Sequence, residues 1–323
     1  MNDAAREIQV SIICNAYNHE KYIRDALEGF VMQKTNFAFE VLIHDDASTD
    51  KTADIIREYE AKYPDLIKPI YQAENQYSKG IGAPSIFQRP RVTGRYVAFC
   101  EGDDYWTDPL KLQKQYDAME AHPEIDMCAC AATRINALTD QVMGTICPAD
   151  RDTVFRAEEV ILGGGGFVAS ASLFYRTSLY QNEPEFRKFL KLDYTLQMQG
   201  SLRGGLLYLA DYMSAYRVMS EGSWSERMRK DQEKARKHFE KVQRMLDLLN
   251  EDTDGRYESV IRDKQLTYEF QSHLSTGRYK DVLDQRFRAL FKQLSAKNRI
   301  VIRLKAAFPF VLKIKKALRG RQA

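Results

Sequence analysis

The sequence runs to 323 residues, 44% of them apolar, with 48 basic and 45 acidic side chains, enough chain for one large core and an appended piece. No stretch reaches the ~18 apolar residues that a membrane-spanning helix needs, and the opening MNDAAREIQV lacks the order and cleavage site of a secretion signal, so a cytoplasmic location is expected. Charge is unevenly divided: no acid follows Asp284, and setting aside the eight basic residues from Arg299 onward leaves 40 basic against 45 acidic side chains.

In chain order, IQVSIICNAY (8–17) is apolar and β-branched and closes in polar residues, as a buried strand does. HEKYIRDALEGFVMQ (19–33) carries apolar groups at Tyr22, Ile23, Ala26, Leu27, Phe30 and Val31, the spacing of a helix lying on a sheet. FEVLIHDDAST (39–49) predicts a second strand, with Ser48 or Asp50 placed to cap a helix over 52–63. IKPIYQ and RYVAFCE are a third and fourth. Short apolar strands alternating with helices predict an α/β fold with a mostly parallel sheet flanked by helices, whose ligands bind beyond the carboxyl ends of the strands. Asn15 to Asn18, Asp45 with Asp46, and Glu101 to Asp104 each follow a strand, so these polar clusters should meet on one rim.

Past the rim, 109–120 predicts a helix behind the cap Asp108, 123–136 a strand, 163–178 a glycine loop entering a strand, and 186–204 an acid followed by a helix. GLLYLADYMSAYRV (205–218) predicts a strand pair. From about Ser225 the composition changes to charge-laced amphipathic helices, with TDGRY and STGRY as turns. These features divide the chain into 1–222, a helical extension over 223–298, and a basic tail over 299–323.

Glu101 and Asp103 crowd like charge at a strand end, a fit for a divalent ion and a diphosphate, since hard cations take carboxylate and phosphate oxygens. Capping does not account for them, because Asp108 already fills that role. Asp45 and Asp46 fit either a base or ribose contact or a turn built with Ser48 and Asp50. Asn15 and Tyr17 offer an amide and an aromatic face. Asp193 sits where a helix N-cap would, so its meaning depends on its company. Arg217 and Trp224 could contact phosphate and shield a site, but an arginine at a strand end is more often a solvated or paired surface group. GGGGF at 163–167 lacks the spacing and the Lys-Ser/Thr ending of a phosphate loop. CAC at 128–130 puts both thiols on one strand face, and the five cysteines, Cys14, Cys100, Cys128, Cys130 and Cys147, have no CxxC spacing, so buried free thiols are expected. The histidines, His19 among them, form no ligand spacing.

Taken together and in order, VSIICNAYNHEKYIRDALEGFVMQ, EVLIHDDASTDKTADII, GRYVAFCEGDDYWTDPLKLQKQ, LKLDYTLQMQG and YLADYMSAYRV resemble the glycosyltransferase family 2 catalytic domain of the GT-A type, over about residues 8–222. The resemblance implies an inverting transfer from a nucleotide-diphosphate sugar, a UDP-sugar above all, with a divalent metal, Mn2+ or Mg2+, as cofactor. It places Asn15, Tyr17, Asp46 and Glu101 in donor binding, Asp103 at the metal and Asp193 as general base. Glu101 stands where aspartate is usual, Ala47 where glycine is common, and Cys14-Asn15 where Pro-Thr or Pro-Ser is common. The Gln-x-x-Arg-Trp motif of processive synthases is absent, which favours single additions.

The tail NRIVIRLKAAFPFVLKIKKALRGRQA interleaves apolar and basic residues around Pro309, which predicts a segment lying on an anionic membrane surface, against the alternative of a helix docked on the core. A glycan or lipid-linked acceptor for cell-surface polysaccharide fits that reading, and nucleic acid does not, for want of an aromatic platform. Two other functions compete. A sugar nucleotidyltransferase would need a glycine-rich, arginine-containing loop after the first strand, which is missing. A catalytically inactive scaffold would not need acids at every rim position.

Overall fold

The computed structural model describes residues 7–80, 82, 84–219 and 231–308. The chain falls into two compact units, Met1–Glu226 and Arg227–Ala323. The expected boundary near residue 222, Trp224 and the tail beyond Phe308 lie outside the described residues.

The first unit is built on β1 (Ile8–Ala16), α1 (Ile23–Val31), β2 (Ala38–Asp45), α2 (Thr52–Lys62), β3 (Ile67–Tyr71), β4 (Tyr96–Phe99), β5 (Tyr105–Trp106), α3 (Lys111–Ala121), β6 (Met127–Asn136), β7 (Val142–Ile146), β8 (Thr153–Phe155), α4 (Ala157–Gly163), β9 (Phe174–Arg176), α5 (Glu185–Phe189), α6 (Asp193–Ser201) and β10 (Leu206–Val218). The sheet runs in the order β3-β2-β1-β4-β9-β6-β10-β5, with β7 beside β6 and β8 beside β10. β1 lies between β2 and β4, parallel to both. Val10, Ile12, Ile13 and Cys14 are fully buried there, because a central parallel strand is covered on both faces. Each such side chain contributes on the order of 2 kcal/mol by leaving water.

The parallel core expected from the strand–helix alternation is thus present over β1 to β4, and the sheet as a whole is mixed. β9 enters antiparallel between β4 and β6, and β5 pairs antiparallel with β10. Strands of two or three residues are too short for periodicity to reveal. The expected strand pair over 205–218 is instead the single strand β10, parallel to β6, with register shifts at Leu209/Tyr212 and Tyr212/Ser214.

α1 presents Ile23, Ala26, Leu27 and Phe30 to the core, and the Phe30 ring meets Trp106 edge-on at 4.9 Å. α2 starts where Asp50 Oδ1 accepts the Thr52 N–H at 2.9 Å, one of the two caps expected. Asp108 Oδ1 accepts the Leu110 N–H at 2.8 Å and leads into α3. All five cysteines are free, and Cys147 alone is not fully buried.

The second unit contains α7 (Gln232–Asp252), α8 (Glu258–Thr276), α9 (Tyr279–Val282), α10 (Arg288–Gln293) and α11 (Ala296–Ala307). α7 is capped by Asp231, whose carboxylate accepts the N–H groups of Glu233 and Lys234. Gln243 and Gln265 exchange side-chain to backbone hydrogen bonds between α7 and α8. Phe270, Val282, Phe287, Phe291 and Ile302 form its core. No helix among the described residues is long and apolar enough to cross a membrane.

Candidate active site

The carboxyl ends of β1 and β4 are tied together by the Gly102 N–H, which donates to the Asn15 carbonyl at 2.9 Å. A Cβ on Gly102 would lie 2.9 Å from His19 Nδ1 and from Ile23 Cδ1, so only glycine allows Glu101 and Asp103 to stand this close to β1. The Asn15 side-chain oxygen is buried and has no hydrogen-bond partner, as is Nδ1 of His19. Orphaned buried polar atoms at one rim call for a partner from outside the chain, a ligand or an ordered water.

Glu101 and Asp103 are partly buried, while Asp104 is only 1% exposed. Burial pushes the Glu101 carboxyl well above its ordinary range, and the charges of Asp193 and Asp103 push it further. Asp104 is raised by burial and then by Asp103, against the Arg217 N–H that its Oδ1 accepts at 2.7 Å. Asp193, some 90 residues away in sequence, is therefore within electrostatic reach of the β4 acids. Its carboxyl opens to solvent at the first residue of α6, yet the surrounding protein limits its hydration and lifts its pKa to about 6. It does not serve as a cap: the Leu192 N–H at that end donates to Thr195 Oγ1 at 3.0 Å. Among the described residues no hydrogen bond to the Asp193 carboxylate is formed.

The structure gathers Asn15, Glu101, Asp103 and Asp193, and it places the remaining candidates differently. Tyr17 is 43% exposed on the loop after β1. Asp45 braces a turn, accepting Ser48 Oγ at 2.5 Å. Asp46 accepts the N–H groups of Gln76 and Tyr77 at 2.7 and 3.0 Å, so its carboxylate shapes the 75–77 loop, and a contact with a nucleobase has to share oxygens already in use. Ala47, where glycine is common, keeps the left-handed backbone that glycine would supply, with φ of 60°.

Arg217 is a paired group, the commoner of the two readings of an arginine at a strand end. Its guanidinium donates to the Asp103 carbonyl at 3.1 Å and to the Asp25 carboxylate, and it lies over the rings of Tyr105 at 4.5 Å and Tyr22 at 5.2 Å. It fixes the acidic loop from behind. His19 is the rim residue that sequence reasoning missed, and no spacing rule links it to the strand ends it serves.

Among the described residues no three His, Cys, Asp or Glu side chains are grouped as a ready metal cage. The carboxylates nevertheless fit a divalent cation. They are hard oxygen donors held against one another, and a magnesium- or manganese-type site takes one or two of them and completes its shell with phosphate oxygens and water.

The family model for glycosyl transferase family 2 matches residues 11–183, which carry the strand ends just described. The chain belongs to glycosyl transferase family 2. This family 2 member is 36% identical over 217 residues to an uncharacterized protein of Mycobacterium tuberculosis, covering 67% of this chain and 60% of the relative's length. Its fold is shared with residues 1–349 of Staphylococcus aureus TarS, at a TM-score of 0.59 and 17% identity over 93% of this chain and 81% of that one. It is shared also with the mannosyltransferase PcManGT of Pyrobaculum calidifontis, in complex with GDP-Man and Mn2+, at a TM-score of 0.52 and 14% identity over 95% and 90% of the two chains. The fold is of the GT-A type, and the chain spans about three fifths of the length of the first relatives it matches.

Proposed function

We propose that the protein is an inverting, single-addition glycosyltransferase that moves a sugar from a nucleotide-diphosphate donor, most simply a UDP-sugar, to a hydroxyl of a glycan or lipid-linked acceptor in cell-surface polysaccharide synthesis. The observation that carries the reading is that Glu101, Asp103 and Asp193, like charges from distant sequence, lie within electrostatic reach of one another beyond the strand ends.

Asn15 lends its unpaired amide oxygen to the donor, and Asp46 holds the 75–77 loop beside it. Asp103, with Glu101 behind it, would hold a divalent ion. Bound there, such an ion would neutralise the charge that builds on the departing diphosphate. Asp193 takes the proton from the acceptor hydroxyl while that oxygen forms its bond to the anomeric carbon. The anomeric carbon–oxygen bond to the diphosphate breaks on the opposite face, its electron pair leaves with the phosphate, and the configuration inverts. A pKa of about 6 suits this work, because the carboxylate is ionised at neutral pH and still basic enough to accept a proton.

α11 supports a membrane-bound acceptor. Ile300 is 57% and Leu304 54% exposed, with Val301 and Phe308 beside them and Lys297 and Arg303 on the same short helix. That is the composition of a segment that lies on an anionic lipid surface.

The test is a pair of variants assayed with a panel of nucleotide-sugars and Mn2+. Asp193→Asn should keep nucleotide binding, read as a thermal shift, and lose transfer by about 100- to 10,000-fold. Asp103→Ala should lose metal-dependent donor turnover. An Asp193→Asn enzyme with the normal rate would remove the general base from this scheme.

A further inference from the structure

A cleft of about 500 Å3 opens beside the acid cluster, lined by Arg134, Thr145, Cys147, Gly166, Phe167 and Tyr216 among others. That is ample for one or two sugar rings. Two connections join it to the catalytic acids. The loop carrying Gly166 and Phe167 is fastened to α6: the Gln197 side chain donates to the carbonyls of Gly165 and Val168 at 3.4 Å, and a Cβ on Gly165 would stand 3.5 Å from that of Tyr194, next to Asp193. On the other wall, the Tyr216 hydroxyl is raised by burial and then by the negative charges of Asp104, Glu101, Asp103 and Asp193.

Arg134 is the charged group in this lining. On the sheet it pairs with Tyr216 of β10 on one side and with Gly144 of β7 on the other. Gly144 has φ of 132° and open space where a side chain would begin, so the residue paired with the arginine on that strand puts no side chain over it. Among the described residues the Arg134 guanidinium has neither an ion-pair nor a hydrogen-bond partner. Many other arginines of this unit are paired: Arg24 with Glu58, Arg203 with Asp126, Arg217 with Asp25. A half-buried guanidinium with its planar fork of donors left open is suited to a phosphate or carboxylate. Phe167 and Tyr216 add aromatic faces of the kind on which a sugar ring packs.

We propose that this cleft seats the acceptor, and that Arg134 clamps an anionic group on it, making the acceptor a saccharide that carries a phosphate or a carboxylate. The inference rests on the glycosyltransferase reading with Asp193 as base, and it adds what that base faces. The acids repel an anionic acceptor at long range. Arg134 offsets that repulsion at one point and so sets the orientation: anion on the arginine, hydroxyl toward Asp193.

The test uses the full chain saturated with UDP and Mn2+, which occupies the donor side. Glucose 1-phosphate, glucuronate and glucose are titrated by ligand-observed NMR at about 50 and about 300 mM NaCl. At low salt at least one anionic sugar should bind roughly tenfold more tightly than glucose, the worth of one charge-assisted contact, and the gap should narrow at high salt. Preference between the two anions tells phosphate from carboxylate. Arg134→Gln should erase the gap, and Arg134→Lys should restore part of it. Equal binding of glucose, no binding of any of the three, or a preference that survives Arg134→Gln would overturn the proposal. Failure of the underlying reading looks different: neither UDP nor GDP, with Mn2+, would raise the melting temperature of the unaltered protein.

Discussion

Glu40 and Glu101 occupy opposite ends of the parallel part of the sheet, and they are treated in opposite ways. Glu40, 2% exposed near the start of β2, accepts the hydroxyls of Ser11 and Thr93 at 2.8 and 2.6 Å and the Lys68 ammonium at 2.7 Å. Those partners hold its carboxyl below the ordinary range in spite of burial. Glu101, beyond the end of β4, faces two more carboxylates and is pushed the other way. The amino end of the sheet surrounds its buried carboxylate with donors, whereas at the carboxyl end Glu101 is crowded by like charge, a perturbation of the kind that functional sites show.

The largest effect on stability is expected at the satisfied end. Glu40→Ala leaves the Lys68 charge and the hydroxyls of Ser11 and Thr93 without this acceptor, which should cost about 3 kcal/mol in urea unfolding. Because the folded carboxyl titrates below its ordinary value, the contribution it makes in the unaltered protein is present above the unfolded pKa of about 4.5 and is lost as pH falls through the folded one. If Glu40→Ala unfolds like the parent at neutral pH, the contrast between the two ends is not one of charge compensation.

A second effect belongs to the ligand end and concerns rate. With Asp193 lifted to about 6, the base is protonated below that pH, and transfer under subsaturating acceptor should fall about tenfold per pH unit there while staying flat above it. The Asp193→Asn enzyme should show no such limb in its residual rate. A parent profile that stays flat down to about pH 4 would mean that Asp193 is not the titrating base.

The two ends were not equally legible in the sequence. β1 declares itself because Val10, Ile12, Ile13 and Cys14 make a largely apolar, β-branched run broken only by Ser11, and the polar clusters after β1, β2 and β4 stand out because each follows such a run. Fold class and rim thus follow from local pattern. The partners of those acids do not. Arg217 reaches Asp25 across 192 positions, Asp46 spends its oxygens on Gln76 and Tyr77 some 30 positions on, and Glu40 is satisfied by residues on three other segments. Whether a carboxylate is paired or bare is a property of tertiary contacts, and the residue type alone is silent on it. The cleft around Arg134 was hidden for the same reason, since it is lined by β6, β7, β10 and the 163–167 loop, which only the fold brings together.

The smallest expected effect is the sharpest test of the comparison, because its sign is unusual. Most substitutions of partly buried residues destabilise. Glu101→Gln should stabilise, on the order of 1 kcal/mol at about pH 8, since it removes a carboxylate that the folded state holds against Asp103 and Asp193. The sign follows from linkage. A carboxyl whose folded pKa lies above its ordinary value of 4.5 binds its proton more tightly when folded, so ionising it works against folding, fully above the folded pKa and not at all below the unfolded one. The gain from glutamine should therefore vanish as pH drops to about 4, where both states carry a neutral group at this position. Mn2+ should shrink the gain at high pH, because a bound cation relieves the same repulsion in the parent. A glutamine variant that is less stable at every pH, with or without the metal, would mean that the charge of Glu101 is satisfied by its surroundings, as that of Glu40 is, and that the two ends of the sheet do not differ in the way described.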